Sequence, residues 1–171
     1  MANSLEGTVN RTAGYPLALD AGKVRYGKFY HQNSHRIYSR AFLMLDNEIA
    51  AEHLTANTFL RAFACSVLPT ADHLDRAFLT ELRELTMVGG LTLKCSASAG
   101  LKNVQNRTKR IYLERAVVQL PATEKLIFLL HDVEGYDHDR TARLLGMTVA
   151  ESQLGLHQAR LQIRELVGGM P

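Results

Sequence analysis

Between Tyr30 and Leu45 the apolar side chains Ile37, Tyr38, Ala41, Phe42 and Leu45 recur at three- and four-residue steps, the period of an amphipathic helix. Asp46 and Asn47 interrupt it. A second helical stretch, predicted from Glu48 to Val67 and ended by Pro69, sets Leu54, Thr58, Ala62 and Cys65 on one face, with Phe59 and Phe63 adjoining. A third runs from Asp72, read as its N-cap, to Met87, with Leu74, Phe78, Leu82 and Leu85 as its apolar stripe. The first 29 residues carry Gly7, Gly14, Pro16, Gly22 and Gly27 without sustained periodicity and read as an irregular arm. Residues 89–106 are rich in Gly, Ser and Ala, again without period, and read as a flexible linker.

Beyond the linker the punctuation is sharper. A short helix (IYLERAVVQL) is followed by Pro121 opening the next (ATEKLIFLLHDV) and by Gly135 as a stop. Asp137 is placed to N-cap a further helix that Gly146 closes in a left-handed C-cap. Thr148 and Glu151 have capping-box spacing and start the last helix, on which Val149, Ser152, Leu156, Ala159, Ile163 and Leu166 form one stripe. Two short helices joined by a tight Gly turn (DHDRTARLLG, MTVAESQLGLHQAR) are the pattern of a helix-turn-helix. The fold class predicted is all-α, with two small helical domains: 1–29 an arm, 30–88 a helical bundle, 89–106 a linker, and 107–171 a helix-turn-helix domain.

The segment LERAVVQLPATEKLIFLLHDVEGYDHDRTARLLGMTVAESQLGLHQARLQIREL resembles region four of the bacterial RNA polymerase sigma factors of the extracytoplasmic-function group. The landmarks are Leu120-Pro121, Glu134-Gly135, Leu145-Gly146 and Ala159-Arg160. HRIYSRAFLMLDNEIAAEHLTANTFLRAF is similar to sigma region two, through Ala51, Glu52, His53, Leu54 and Thr55 followed by Phe59, Leu60, Arg61, Ala62 and Phe63. The resemblance implies a sigma factor that binds core RNA polymerase and promoter DNA, with an anti-sigma factor as a further partner. Glu52, Asn57 and Arg61 inherit the polymerase-docking face. Lys125, Thr148, Ser152, Gln153, Gly155, Gln158, Arg160 and Arg164 inherit the DNA-reading face.

The chain departs from that pattern where it would touch DNA. Phe78 stands where the family has Trp, and the third helix carries Arg76 and Arg83 against Asp72, Asp75, Glu81 and Glu84, a balance that repels phosphate. Gln153, Gly155 and Gln158 occupy positions commonly Lys or Arg, and Leu154 is predicted to face outward. Gln can read adenine, whereas Gly weakens a helix interior by about 1 kcal/mol. A second reading is therefore a degenerate sigma-like module that docks polymerase or an anti-sigma factor without specific promoter recognition.

Composition narrows the remainder. A formal net charge of +3 fits nucleic-acid binding without demanding it. No run approaches the roughly 18 apolar residues of a membrane span, and no apolar block marks a signal peptide, so the chain reads as cytoplasmic with no membrane insertion. Cys65 and Cys95 lack any CxxC partner and read as free thiols. His31 and His35 have helical ligand spacing, but no third ligand is near them in sequence, so no metal site is assigned. No nucleophile elbow, phosphate loop or dinucleotide motif occurs. No catalytic residue, cofactor or small-molecule substrate is therefore assigned, and the chain is not read as an enzyme.

Overall fold

The computed structural model describes residues 16–66, 69–93 and 110–170, with side chains from 24 onward. Among them there are α-helices and no strand, as the sequence pattern requires: α1 (Pro16–Leu45), α2 (Glu48–Cys65), α3 (Ala71–Leu85), α4 (Arg110–Val118), α5 (Ala122–Phe128) running into a π-turn (Leu129–Val133), α6 (His138–Leu145) and α7 (Val149–Gly168). The chain divides into two units, Met1–His35 and Arg36–Pro171.

The first helix begins at Pro16, so residues 16–29, predicted as irregular arm, are helical. Proline is well suited to a helix start, where its missing N–H would be unpaired anyway, and the glycines after it only weaken the periodic signal. Residues 1–15 of that predicted arm lie outside the described residues, as do Cys95 and residues 94–106 of the predicted linker. Within the first unit the Asn33 side-chain amide donates to the Phe29 carbonyl at 2.9 Å.

In the second unit, α1 buries Ile37, Arg40, Ala41 and Met44, which share its inner face. Asn47 N-caps α2 by accepting from the Ala50 amide at 2.9 Å, and Leu54, Thr58, Phe59 and Ala62 line the face that packs on α3. Cys65, predicted on that face, is instead an exposed free thiol at the helix end. The N-cap of α3 is Thr70, not Asp72: its hydroxyl accepts from the His73 amide in a capping box, which leaves Asp72 in the first turn. Leu74, Phe78 and Leu82 close this core.

The later half is built on Leu126, Ile127, Leu129 and Leu130, all buried, with Ala142, Leu145, Leu156, Ala159 and Ile163 packed around them. Asp137 accepts from the Arg140 amide, Gly146 takes φ 74° as the C-cap of α6, and Thr148 and Glu151 form the capping box of α7. The π-turn donates the Glu134 amide to the Leu129 carbonyl at 3.0 Å, closing the long helix at Glu134.

The early and late halves of this unit meet through charge. The Asp75 carboxylate on α3, fully buried, accepts from Arg36 at 3.1 Å and Arg40 at 3.2 Å through one oxygen. Its other oxygen accepts from the Tyr136 hydroxyl at 2.7 Å and from Arg140 at 3.1 Å. Glu134 accepts from Arg36 at 2.9 Å and from Arg40 through both carboxylate oxygens. Asp72 completes the set by accepting from Arg140 at 2.7 Å. Arg40 also lies over the Phe78 ring at 4.9 Å, and Arg140 over Tyr136 at 3.9 Å. Three guanidinium groups thus meet three carboxylates. Removing Arg40, Asp75 or Glu134 leaves its buried partners uncompensated. Asp75→Ala is expected to lower unfolding stability by about 3 to 5 kcal/mol, whereas Glu84→Ala, which breaks an exposed 3.6 Å pair with Arg61, is expected to cost less than about 1 kcal/mol; urea denaturation of both variants checks the contrast.

Candidate nucleic-acid interface

The tight turn at Gly146 sets α6 and α7 as a helix-turn-helix pair, and α7 is two-sided. Ser152, Gly155, Leu156, Gln158, Ala159 and Ile163 face inward, while Gln153, Leu154, His157, Arg160 and Arg164 are exposed. The exposed positions follow the helical repeat along one face, as a groove-reading helix requires.

Of the residues assigned to DNA from sequence, Gln153, Arg160 and Arg164 share the open face of α7 and Thr148 is exposed at its start. Arg164 makes no ion pair among the described residues. Arg160 donates to both oxygens of Asp132, at 2.9 and 2.6 Å, with its side chain 49% exposed. An ion pair that open to solvent contributes about 1 kcal/mol or less, so a phosphate can take the place of Asp132 at small cost. Thr148 is occupied as the N-cap, its hydroxyl donating to Glu151 at 2.8 Å.

Four other assigned residues are placed elsewhere. Lys125 is buried at 6% exposure and donates to the Val118 carbonyl at 2.6 Å and the Met44 carbonyl at 3.4 Å. It therefore caps the last turns of α4 and α1, a use of lysine that competes with phosphate contact. Burial pushes its ammonium below the usual lysine range, against a small opposing effect of Asp46. The Ser152 hydroxyl lies inside, 3.0 Å from Nδ1 of His138. Gln158 is 6% exposed. Gly155 faces inward, where a Cβ would stand 2.5 Å from Cδ1 of Ile127 and 2.7 Å from Cδ2 of Leu91, so those side-chain ends would have to shift to admit one.

On α2, the assigned polymerase-docking residues Glu52, Asn57 and Arg61 are all exposed. Arg61 is paired with Glu81 and Glu84 of α3. The acids of α3 that read as a phosphate-repelling surface are consequently engaged: Asp72 and Asp75 with arginines of the buried set, Glu81 and Glu84 with Arg61. Helical periodicity shows which side of α3 is apolar but not which arginine of another helix will meet its acids. Sequence reasoning also passed over Ile49 and Leu60, which are 68% and 67% exposed beside the docking residues. His157, on the open face of α7, was missed as well; its offset of four from Gln153 was the available signal.

A histidine pair lies behind Arg160. The His131 and His138 rings sit 4.4 Å apart, and His131 meets Asp132 at 3.0 Å. Burial, then the neighbouring His131 and Arg160, hold His138 below the ordinary imidazole value, outweighing Asp132 and Asp137. Burial pushes the Asp132 carboxyl up, but hydrogen bonds from Arg160 and His131 outweigh it and hold the group below the usual carboxylate range. Among the described residues no group of three or more His, Cys, Asp or Glu is arranged to hold a metal ion.

Residues 110–163 match the family model for sigma-70, region 4. That stretch of the chain is a sigma-70 region 4 segment by sequence. The fold is similar to that of the sigma factor RpoE from Bartonella quintana, solved in complex with the anti-sigma factor NepR, with a TM-score of 0.57 at 13% identity over 85% of this chain and 98% of that one. No curated protein matches the chain. No helix among the described residues is long and apolar enough to cross a membrane.

The lowered His138 fixes a pH dependence. Because the folded state takes up this proton less readily than the unfolded chain, stability falls as pH drops below about 6.5, the unfolded imidazole value, and levels off below the folded value. The thermal midpoint of the wild type is expected to fall across that window and that of His138→Gln to fall less; Asp132 acts only at lower pH, where its stabilising ionisation is lost.

Proposed function

We propose that this chain is a sigma factor that docks core RNA polymerase through the exposed side of α2 and directs it to a promoter by placing α7 in the major groove. The observation that carries this reading is the two-sidedness of α7: one face is core, and the other offers Gln153, His157, Arg160 and Arg164 to solvent in helical register. Gln153 supplies base-edge hydrogen bonding, and the two arginines hold phosphates and fix register. The exposed apolar residues Ile49 and Leu60 lie on the same helix as Glu52 and Asn57 and add apolar area to the docking face. Residues 30–88 and 107–171 act as the two functional halves, joined by 89–106. An anti-sigma factor is a fitting partner, since the similar RpoE structure holds one. Work on polymerase and DNA places the protein in the cytoplasm.

One observation favours the second reading, a sigma-like module that binds protein without specific promoter recognition. Lys125, Ser152, Gly155 and Gln158 are turned away from the open face, so half of the inherited reading positions are not offered to a duplex.

Both readings are separated by one preparation of the chain used for a core-polymerase pull-down and a promoter-dependent transcription assay. The first reading expects co-purification and promoter-dependent transcripts; co-purification without transcripts or sequence-specific binding selects the second, and neither activity contradicts both. Two variants sharpen the test. Glu52→Lys is expected to weaken polymerase capture about tenfold by opposing charge at the docking face. Arg160→Ala with Arg164→Ala is expected to weaken DNA binding at all sequences and to flatten the dependence of log affinity on log salt by about 2, one per phosphate contact.

A further inference from the structure

A cavity of about 480 Å³ lies between α3 and α6, beside the buried charge set. Asp72 and Arg76 of α3 line it on one side, and Arg140, Arg143 and Leu144 of α6 on the other. Three guanidinium groups therefore surround it against one carboxylate. That carboxylate is already neutralised, since Asp72 accepts from Arg140 at 2.7 Å. Arg140 is engaged a second time by Asp75 at 3.1 Å. Arg76 and Arg143 are exposed and make no ion pair among the described residues, although Asp72 and Asp139 stand four positions before them, at the spacing of helical pairs. Two helices thus bring uncompensated positive charge to one concave surface, where Leu144 is the single apolar lining residue. The volume falls within the roughly 300 to 1,000 Å³ of small-ligand sites.

We propose that this cavity binds a compact phosphate-bearing small molecule through Arg76 and Arg143, with Arg140 as the third cation, and that the bound anion ties α3 to α6. Guanidinium groups match phosphate oxygens with paired N–H donors and are more weakly hydrated than ammonium groups, so they give up water to an anion more readily. A free anion fits this surface better than a nucleic-acid backbone does. A duplex is a continuous row of charges, and laying it here brings phosphates against Asp72, whose side chain is 63% exposed, and against the exposed Asp139. A compact anion reaches the arginines without that repulsion. Because α3 and α6 belong to different halves of the unit, an anion shared by Arg76 and Arg143 adds a contact across the junction that Arg40, Asp75 and Glu134 hold from within. The site does not depend on α7 contacting DNA.

Inorganic pyrophosphate is the probe, titrated into the full chain at constant ionic strength and followed by calorimetry and by the thermal midpoint. The wild type is expected to bind it saturably, one to one, with a midpoint that rises with pyrophosphate concentration. Arg76→Gln and Arg143→Gln are each expected to weaken binding about tenfold, the loss of one charge-assisted contact. Arg110→Gln, which removes an exposed positive charge on α4, is expected to leave it unchanged. All three side chains are exposed, so the variants fold, and their midpoints without pyrophosphate check this. Binding that does not saturate, or that all three variants weaken alike, would show only a general attraction of anions to a positively charged chain and would overturn the site. A midpoint that pyrophosphate raises as far in Arg143→Gln as in the wild type would place the anion elsewhere and overturn it too. Absence of pyrophosphate binding also overturns it; if Arg76→Gln and Arg143→Gln then weaken binding to a mixed-sequence duplex, the surface is a nucleic-acid contact instead.

Discussion

The interaction on which the rest depends is the buried meeting of Arg40 with Asp75 and Glu134. Arg40 is 2% exposed and reaches a carboxylate from each half of the unit, so neither half can move without stranding a charge in a dry interior. Arg36, Tyr136 and Arg140 also donate to the Asp75 carboxylate, while Nη2 of Arg36 and Nε of Arg140 are buried without a hydrogen-bond partner among the described residues. Burial and the Asp75 carboxylate push the Tyr136 hydroxyl above its ordinary value, which keeps it protonated and donating. Geometry of this kind specifies one arrangement more than it adds stability, because the desolvation of Arg40, Asp75 and Glu134 offsets much of their attraction.

That constraint shapes what the helix-turn-helix presents. With α6 held to α3 through Arg140 and the long helix closed at Glu134, the α5 surface turns Lys125 onto the ends of α1 and α4, and Thr123 and Glu124 accept from the backbone amides of Gly89 and Leu93. The open face of α7 then keeps two arginines and one glutamine, enough to position a duplex and too little to read a long site. Function and packing compete for the same few cations here: Lys125 serves packing, Arg164 is left to function, and Arg160 is shared through Asp132.

Much of the fold was legible because local rules decide it. Asp137, Gly146 and the Thr148–Glu151 box act within one helical turn, and all three were readable at their residues. The stripe of α7 was readable for the same reason, through Leu156, Ala159 and Ile163. Where longer-range partners decide, the reading failed. Asp75 looked like one of four surface acids on α3 and is fully buried, because its counter-charges come from Arg36, Arg40 and Arg140 on other helices. Lys125 and Gly155 were assigned by position in a family pattern, and their surroundings, Met44 and Leu91, lie in parts of the chain that no local rule connects to them. Glu134-Gly135 was recognised as a landmark; that its carboxylate joins the halves had no local signature.

A double-mutant cycle on Arg40→Ala and Glu134→Ala, followed by urea unfolding of the four proteins, tests the central claim most directly. If these two side chains hold the halves of the unit together, their stability changes are strongly non-additive, with a coupling of about 2 kcal/mol or more. Changes that add to within about 0.5 kcal/mol would show that the two groups do not act on each other and would contradict the account.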